Sequence, residues 1–279
     1  MHWQTSRRRI SLDRPMVMGI LNITPDSFSD GGSFVTVDDA IGHAEKMVAD
    51  GVDIIDIGGE STRPGSQRVS TDEELNRVLP VIETLVARFE TPISIDTSKS
   101  EVARAAVDAG AEIINDISGL RWDEEVADVA SESKVGLILM HSRGTFETMH
   151  SQQPVNDIVD EVSYGLGLSI KTAKARGVGD DQIALDIGIG FGKTFEQNLE
   201  LLAKLARIID EFKAYPMLVG TSRKSFIGKI LGDAPASERL GGSLATALSA
   251  LSMGASIVRV HDVKETVSAI QVLRRIDEA

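Results

Sequence analysis

Short runs rich in Ile, Val and Leu alternate with longer amphipathic stretches eight times along the chain, without a break in composition. The runs start near Met16, Asp53, Pro92, Glu112, Val135, Ile183, Pro216 and Ser256. Between and after them lie helical patterns at Asp38–Asp50, Asp72–Phe89, Glu101–Ala109, Glu124–Ser131, Ile158–Arg176, Glu196–Ile208, Glu238–Met253 and Lys264–Ile276. Thr71 and Ser100 stand where helix caps are expected, because a short hydroxyl side chain accepts from the free N–H groups of a first turn. Gly51, Gly110, Gly177 and Gly254 each follow a helical pattern, where a left-handed C-terminal residue costs glycine least. Units of strand then helix, each of about 30 residues, predict an α/β chain closed into a (β/α)8 TIM barrel. One domain is expected to span residues 1–279. An open doubly wound sheet is the competitor. It would normally carry a Gly-rich dinucleotide turn after its first strand, whereas that strand here ends in Asn22-Ile23-Thr24-Pro25-Asp26. The segment before Met16 is too short for a domain and is read as a short N-terminal hairpin closing one end of the barrel.

A length of 279 residues with 42% hydrophobic content is enough to bury a full core. The net charge of −13 argues against a nucleic-acid surface, since phosphate backbones are gripped by clustered Lys and Arg. Any anion must then be captured locally. The absence of cysteine removes disulfides, Cys-ligated zinc and thiol nucleophiles from the possible mechanisms and fits a reducing cytoplasm. Arg7, Arg8 and Arg9 precede no apolar run suited to a signal peptide. No segment approaches the roughly 20 apolar residues of a membrane span.

In a barrel of this kind, chemistry gathers at the C-terminal ends of the strands. The runs end at Asn22, at Asp56 through Glu60-Ser61-Thr62-Arg63, at Asp96, at Asn115-Asp116, at His141, at Asp186, at Ser222-Arg223-Lys224 and at Arg259-Val260-His261. One such aspartate is usually a turn residue. A ring of polar ends needs a shared ligand or a salt-bridge network, because buried charges are costly without partners. Alternation places Ile257, Arg259 and His261 on one strand face, and pairs Asp96 with Ser94 and Asn115 with Ile113 and Ile117. Asp96, Asn115 and Asp186 offer acceptors and an amide donor suited to a flat heterocycle with amino and lactam edges. Arg259 and His261, with Arg63 and the hydroxyls of Ser61 or Thr62, could grip a phosphate-type anion. The plainer alternative is that Arg259 simply pairs with an aspartate.

Other signals carry less. Gly188-Ile189-Gly190-Phe191-Gly192-Lys193-Thr194 ends like a phosphate-binding loop, but that motif needs glycine where Ile187 stands. Its glycines are expected to let backbone approach a ligand beside Phe191. Paired carboxylates could serve a glycosidase, yet two Trp and two Tyr give few platforms for sugars. His43 reads as surface or packing, His150 as a loop residue without a partner, and His141 as ambiguous.

Two long stretches, Asn22-Ile23-Thr24-Pro25-Asp26-Ser27-Phe28-Ser29-Asp30-Gly31-Gly32 and Gly58-Gly59-Glu60-Ser61-Thr62-Arg63-Pro64-Gly65, resemble the two signatures of the dihydropteroate synthases. Ser94–Thr97, Ile114–Ile117, Ser222–Ser225 and Arg259–His261 follow in the family's order, so the resemblance covers essentially the whole chain. It implies condensation of p-aminobenzoate with a pterin methyl diphosphate, releasing pyrophosphate, in folate biosynthesis. It further implies that Asp96, Asn115, Asp186 and Lys224 bind the pterin ring, that Arg259 stacks on it, and that Ile117 and Met140 line the slot. Thr62 would touch the pterin substrate on its diphosphate side. Asn22, Arg259 and His261 would hold the diphosphate, with Asn22 also helping to ligate Mg²⁺. Phe28, Arg63, Pro64, Phe191 and Ser225 would form the p-aminobenzoate site, where sulfonamides would compete. Asn22, Arg63, Lys224, Arg259 and His261 are the implied catalytic set.

The resemblance also implies small-molecule substrates and a homodimer formed through helices near the C-terminus. One departure is Ile187, where many members carry Pro. Two other readings within this resemblance are a pterin-dependent methyltransferase domain, which would need a corrinoid partner, and a non-catalytic pterin-binding paralogue.

Overall fold

The computed structural model describes residues 1–24, 36–63 and 65–279. Strands β1 (His2–Gln4) and β2 (Arg9–Ser11) come first, followed by β3 (Met16–Asn22), α1 (Val37–Ala49), β4 (Ile54–Gly58), α2 (Thr71–Arg88), β5 (Ile93–Asp96) and α3 (Ser100–Asp108). Next are β6 (Ile113–Asp116), α4 (Glu125–Ser133), β7 (Gly136–Met140), α5 (Ile158–Ala175), β8 (Ile183–Asp186), α6 (Phe195–Ala203) and α7 (Leu205–Glu211). Last come β9 (Met217–Val219), α8 (Ser225–Ile230), α9 (Leu240–Ser252), β10 (Ile257–Val260) and α10 (Val263–Asp277). Among the described residues, β3 to β10 close into one barrel in chain order, with β10 paired back onto β3. The neighbouring strands are parallel all the way round.

The apolar runs form these strands because both faces of each are covered, a burial that selects near-continuous Ile, Val and Leu. Outward residues such as Ile55, Ile57, Ile95, Leu137, Leu139 and Val258 pack against the helices in one large core. Inward residues Met16, Met18, Ile54, Ile113, Ile138, Ala184, Leu218 and Ile257 form a second core inside the barrel's N-terminal half. The hairpin of β1 and β2 closes that end. Trp3, fully buried, is its plug, and its indole Nε1–H donates to the Gln182 carbonyl at 2.7 Å. The polar groups buried at this end are paired: Glu112 accepts from Thr5 and Arg8, and the Gln182 amide donates to the Ala130 and Val135 carbonyls.

Several boundaries shift by a residue or two from those expected. Ser70, one residue before Thr71, caps α2 by accepting from the Glu73 N–H at 3.2 Å. Ser100 is the first residue of α3 rather than its cap, and its N–H is taken by Asp123 Oδ2 at 2.7 Å. The pattern at Glu196–Ile208 divides into α6 and α7 around Lys204, whose φ and ψ of −105° and 13° leave the helical region. The helix expected from Glu238 begins at Leu240, after a single 3-10 turn. Gly51, Gly110, Gly177 and Gly254 all adopt positive φ behind their helices. Ile187 is fully buried in the outer core, so an apolar residue there is held by packing.

Candidate active site

The C-terminal mouth is built by strand register. Asp56, Ser94 and Asp96 point inward from β4 and β5, and cross-strand pairing sets Asp56 beside Ser94, Gly58 beside Asp96, and Asp96 beside Asn115. Met140 pairs with Asp186, and Arg259 follows Ile257 on the inward face of β10. From that strand the Arg259 guanidinium reaches across the barrel. Its Nε–H donates to Asp56 Oδ2 and its Nη2–H to Asp96 Oδ2, each at 2.6 Å. Asn115 Nδ2 donates to the same Asp56 oxygen at 3.0 Å. The plain alternative for Arg259 is thus realised twice over. Its two carboxylate partners also fix the guanidinium plane as a wall of the mouth.

The electrostatics follow from burial. Loss of water would lower the pKa of Arg259, but Asp56 and Asp96 outweigh that effect and keep it charged. One cation cannot stabilise every acid around it. Burial pushes Asp96 up to about 7, Arg259 opposes the rise, and the charges of Asp56, Glu74 and Asp116 reinforce it.

On the opposite wall, Asp186 Oδ1 accepts the Gly188 N–H at 2.7 Å. Burial raises its pKa, against the pull of the Lys224 charge and that N–H. Lys224, at the end of the turn after β9, is lowered to about 8 by burial, with Asp186 opposing. Its amine donates to the Ile189 carbonyl and lies 4.8 Å from the centre of the Phe191 ring, within range of a cation–π interaction. Ile117 and Met140 are buried yet belong to neither apolar core, which leaves them free to line a slot.

The loop of residues 188–193 departs from expectation. Gly188 and Gly192 have φ of 65° and 72°. A Cβ at Gly188 would collide with the His141 carbonyl, and one at Gly192 would lie 2.5 Å from Arg143 Cβ. Close approach to the turn after β7 by itself requires these two glycines. Gly190 instead packs on the Lys224 stem, where a Cβ would lie 3.4 Å from its Cδ. Lys193 donates to the carbonyls of His141, Gly188 and Phe191 at 3.1, 2.8 and 3.0 Å. It pins the loop rather than contacting phosphate. His141 is buried, and its backbone N–H donates to the Asp186 carbonyl at 2.9 Å.

At the rim, His261 Nδ1 lies 3.0 Å from Ser222 Oγ, which also accepts the His261 N–H at 3.2 Å. Burial lowers this imidazole to about 3, helped by the charges of Arg259, Arg223 and Arg63. The neutral imidazole is held by Ser222 through Nδ1, which leaves Nε2 as its second polar atom. Arg223 is committed to Asp262. Asn22 is half-buried at the end of β3; a Cβ on Gly58 would lie 3.6 Å from its Oδ1 and 3.8 Å from Asp96 Oδ2. The missing side chain at Gly58 keeps the space between these two groups open.

Outside the rim, Arg63, Gly65, Ser66, Gln67, Arg68, Phe146, Glu147 and His150 line a cavity of about 350 Å³. His150, expected to lack a partner, sits 2.8 Å through Nε2 from the Thr62 carbonyl, and its ring centre lies 6.4 Å from that of Phe191. Ser225 is exposed as the first residue of α8. Phe28 and Pro64 lie outside the described residues. Asp96, Asn115, Asp186, Lys224 and Arg259 thus gather around the mouth, with His261 and Asn22 at its edge and Arg63 and Phe191 further out.

Asp56, and Lys99 with its partner Glu74, stand outside every sequence motif. Their only marks in the sequence are an aspartate within an apolar run and a Lys between two acidic segments.

Residues 18–261 match the family described as pterin binding enzyme. The chain is 48% identical over 266 residues to a dihydropteroate synthase of Escherichia coli strain K12, covering 95% of this chain and 92% of that protein. It is similar to a Yersinia pestis dihydropteroate synthase solved in a sulfonamide drug complex, with a TM-score of 0.94, 42% identity and full coverage of both chains. It is likewise similar to a Xanthomonas albilineans dihydropteroate synthase solved with 7,8-dihydropteroate, with a TM-score of 0.90, 40% identity and full coverage of both.

Proposed function

This chain belongs to the pterin-binding enzymes and, among them, to the dihydropteroate synthases, and we propose how its own residues divide the work of that activity. The reaction condenses p-aminobenzoate with (7,8-dihydropterin-6-yl)methyl diphosphate, giving 7,8-dihydropteroate and pyrophosphate, in folate biosynthesis. The enzyme is a transferase and a sulfonamide target. The observation that carries the residue assignment is the set in which Arg259 bridges Asp56 and Asp96 while Asp186 faces Lys224.

Asp96, Asn115, Asp186 and Lys224 take the heterocycle edge, Arg259 stacks on its face, and Ile117 and Met140 close the slot. Thr62 meets the substrate on the diphosphate side. Arg259, His261 and Asn22 hold the diphosphate. Charge develops on that group as the C–O bond at the methylene breaks, so fixed donors aimed at it lower the barrier. The electron-rich pterin bears the transient positive charge, the aniline nitrogen attacks the methylene carbon, and the proton lost from that nitrogen passes to the released diphosphate. No enzyme nucleophile is needed, and positioning supplies much of the acceleration. Phe28, Arg63, Pro64, Phe191 and Ser225 receive p-aminobenzoate, with the Arg63 charge suited to its carboxylate.

Mg²⁺ belongs to the same proposal. The Asn22 amide oxygen beside the open space at Gly58 suits an ion that keeps several waters and takes other oxygens from a diphosphate. When bound, it would neutralise charge on the leaving group. A single domain over residues 1–279, a homodimer through the C-terminal helices and a cytoplasmic location complete the proposal. Val272 and Ile276, both exposed on α10, support the dimer; the lack of cysteine supports the location. Among the described residues, no helix is long and apolar enough to cross a membrane.

The deciding assay is pyrophosphate release by the purified chain. Release that requires both Mg²⁺ and p-aminobenzoate, and that falls in Arg259→Ala and His261→Ala, is expected. A methyltransferase or a non-catalytic paralogue would give none. Sedimentation of the same sample as a monomer would overturn the dimer.

A further inference from the structure

Asp56 is fully buried within β4, and among the described residues both hydrogen bonds its carboxylate makes go to residues of the site. Oδ2 accepts from Arg259 Nε at 2.6 Å and from Asn115 Nδ2 at 3.0 Å, while Oδ1 is buried without a hydrogen bond. A carboxylate kept for fold stability would be expected to satisfy both oxygens, since each unpaired buried acceptor costs free energy. This one stands half-satisfied in the barrel interior.

We propose that Asp56 is a positioning residue for the synthase reaction, which sets both the plane of Arg259 and the orientation of the Asn115 amide. The inference rests on the function proposed above. An ionised carboxylate only accepts hydrogen bonds, so Asn115 must turn its NH₂ toward Asp56 and offer its carbonyl oxygen to the slot. The slot edge is thereby fixed as an acceptor, and the heterocycle must bring a donor to that point. Through Nε the same oxygen holds the guanidinium at its inner edge. Together with the Asp96 contact, this stops the plane from tilting as the ring enters and the diphosphate leaves. Asp56 is set deeper in the barrel than Asp96, being paired with Ser94, two residues before it. It acts through Arg259 and Asn115.

The test uses the full chain with Asp56→Asn, which keeps shape but lets the amide of Asn115 turn over, and Ser94→Ala as a control. Ser94 is the buried inward neighbour whose hydroxyl has no hydrogen bond. Asp56→Asn is expected to raise KM for the pterin diphosphate about tenfold or more, the loss typical of one charge-assisted hydrogen bond, and to lower kcat. KM for p-aminobenzoate should stay within about twofold of wild type, because the aniline site lies outside this network.

The pH profile gives a readout that a merely structural role would not move. The charged groups acting on Asp96 are Arg259, Asp56, Glu74 and Asp116. Removing the Asp56 charge shifts the limb set by Asp96 to lower pH, whereas Ser94→Ala leaves it in place. An unshifted limb with unchanged pterin KM in folded Asp56→Asn overturns the proposal.

If that variant does not fold, nitrogen NMR of the unaltered enzyme decides. One Asn115 side-chain amide proton should be protected from exchange, both free and with a pterin analogue bound. Two freely exchanging protons overturn the proposal. Absence of p-aminobenzoate-dependent pyrophosphate release by wild type would instead sink the function on which it rests.

Discussion

Asp186 divides its carboxylate between two tasks: Oδ1 holds the Gly188 N–H, while Oδ2 lies 4.0 Å from the position a Cβ would take on Gly220. The second oxygen is the one available to a ring in the slot. Asp186→Asn replaces an acceptor pair with one donor and one acceptor. The expected result is a loss of about tenfold or more in affinity for a pterin analogue, or about 1.4 kcal/mol per decade. Unchanged affinity in calorimetry would remove Asp186 from the slot.

Lys224 makes a prediction in pH. Its pKa is depressed to about 8 by burial, so the ammonium is lost as pH rises through 8, well before an ordinary lysine would lose it. With the charge go its attraction to Asp186 and a strong donor to the ring. Analogue binding should therefore weaken above about pH 8. In Lys224→Arg the guanidinium stays charged through this range, so the alkaline limb should vanish whatever the change in affinity. A limb at the same pH in both proteins would mean another group titrates.

Elements enter the site through the loops they anchor. Glu60 and Val69, on either side of Thr62 and Arg63 in sequence, are tied down by Lys99. Its Nζ reaches Glu60 Oε1 at 3.0 Å, the Val69 carbonyl at 2.9 Å and Glu74 Oε2 at 2.5 Å. Glu74 is almost fully buried on α2, and burial raises its pKa against the charge of Lys99. Lys99→Met strands that carboxylate. The expected cost is about 3 kcal/mol of folding stability in urea titration, the scale for a buried pair broken on one side. Because Glu74 can then take up a proton, the penalty should shrink at acid pH and be full at alkaline pH. KM for p-aminobenzoate should rise with loop mobility; a variant with wild-type stability and KM would show the knot to be idle.

This element was only partly legible beforehand. The second signature marked residues 58–65 as functional, but its anchor lies in two segments up to 39 residues away. The pattern of residues 188–194 invited a ligand-contacting reading, whereas collisions with His141 and Arg143 are what require Gly188 and Gly192. Close approaches between loops are tertiary facts and leave no periodic trace.

For the whole molecule, the barrel depends on its closed end. Trp3 is fully buried among inward residues of the strands, on the far side from the mouth. Trp3→Ala should cost about 3 to 5 kcal/mol in denaturant titration while leaving both KM values of the folded fraction unchanged. Altered KM without loss of stability would mean that the hairpin reaches the site. The sequence by itself determined the eight strands and their order, because burial on both faces of a parallel strand dictates its composition and helices must then cover the outside. It also determined which polar residues end the strands, since one-dimensional alternation carries that information. Only the tertiary structure decided how those residues pair. Arg259 lies 203 residues from Asp56 and 163 from Asp96, and closure of the barrel alone brings them within 2.6 Å. Asp56 carries no local signal of its role because its partners come from β6 and β10. A buried charge is explained by what neutralises it, and here the neutralising groups arrive from across the barrel.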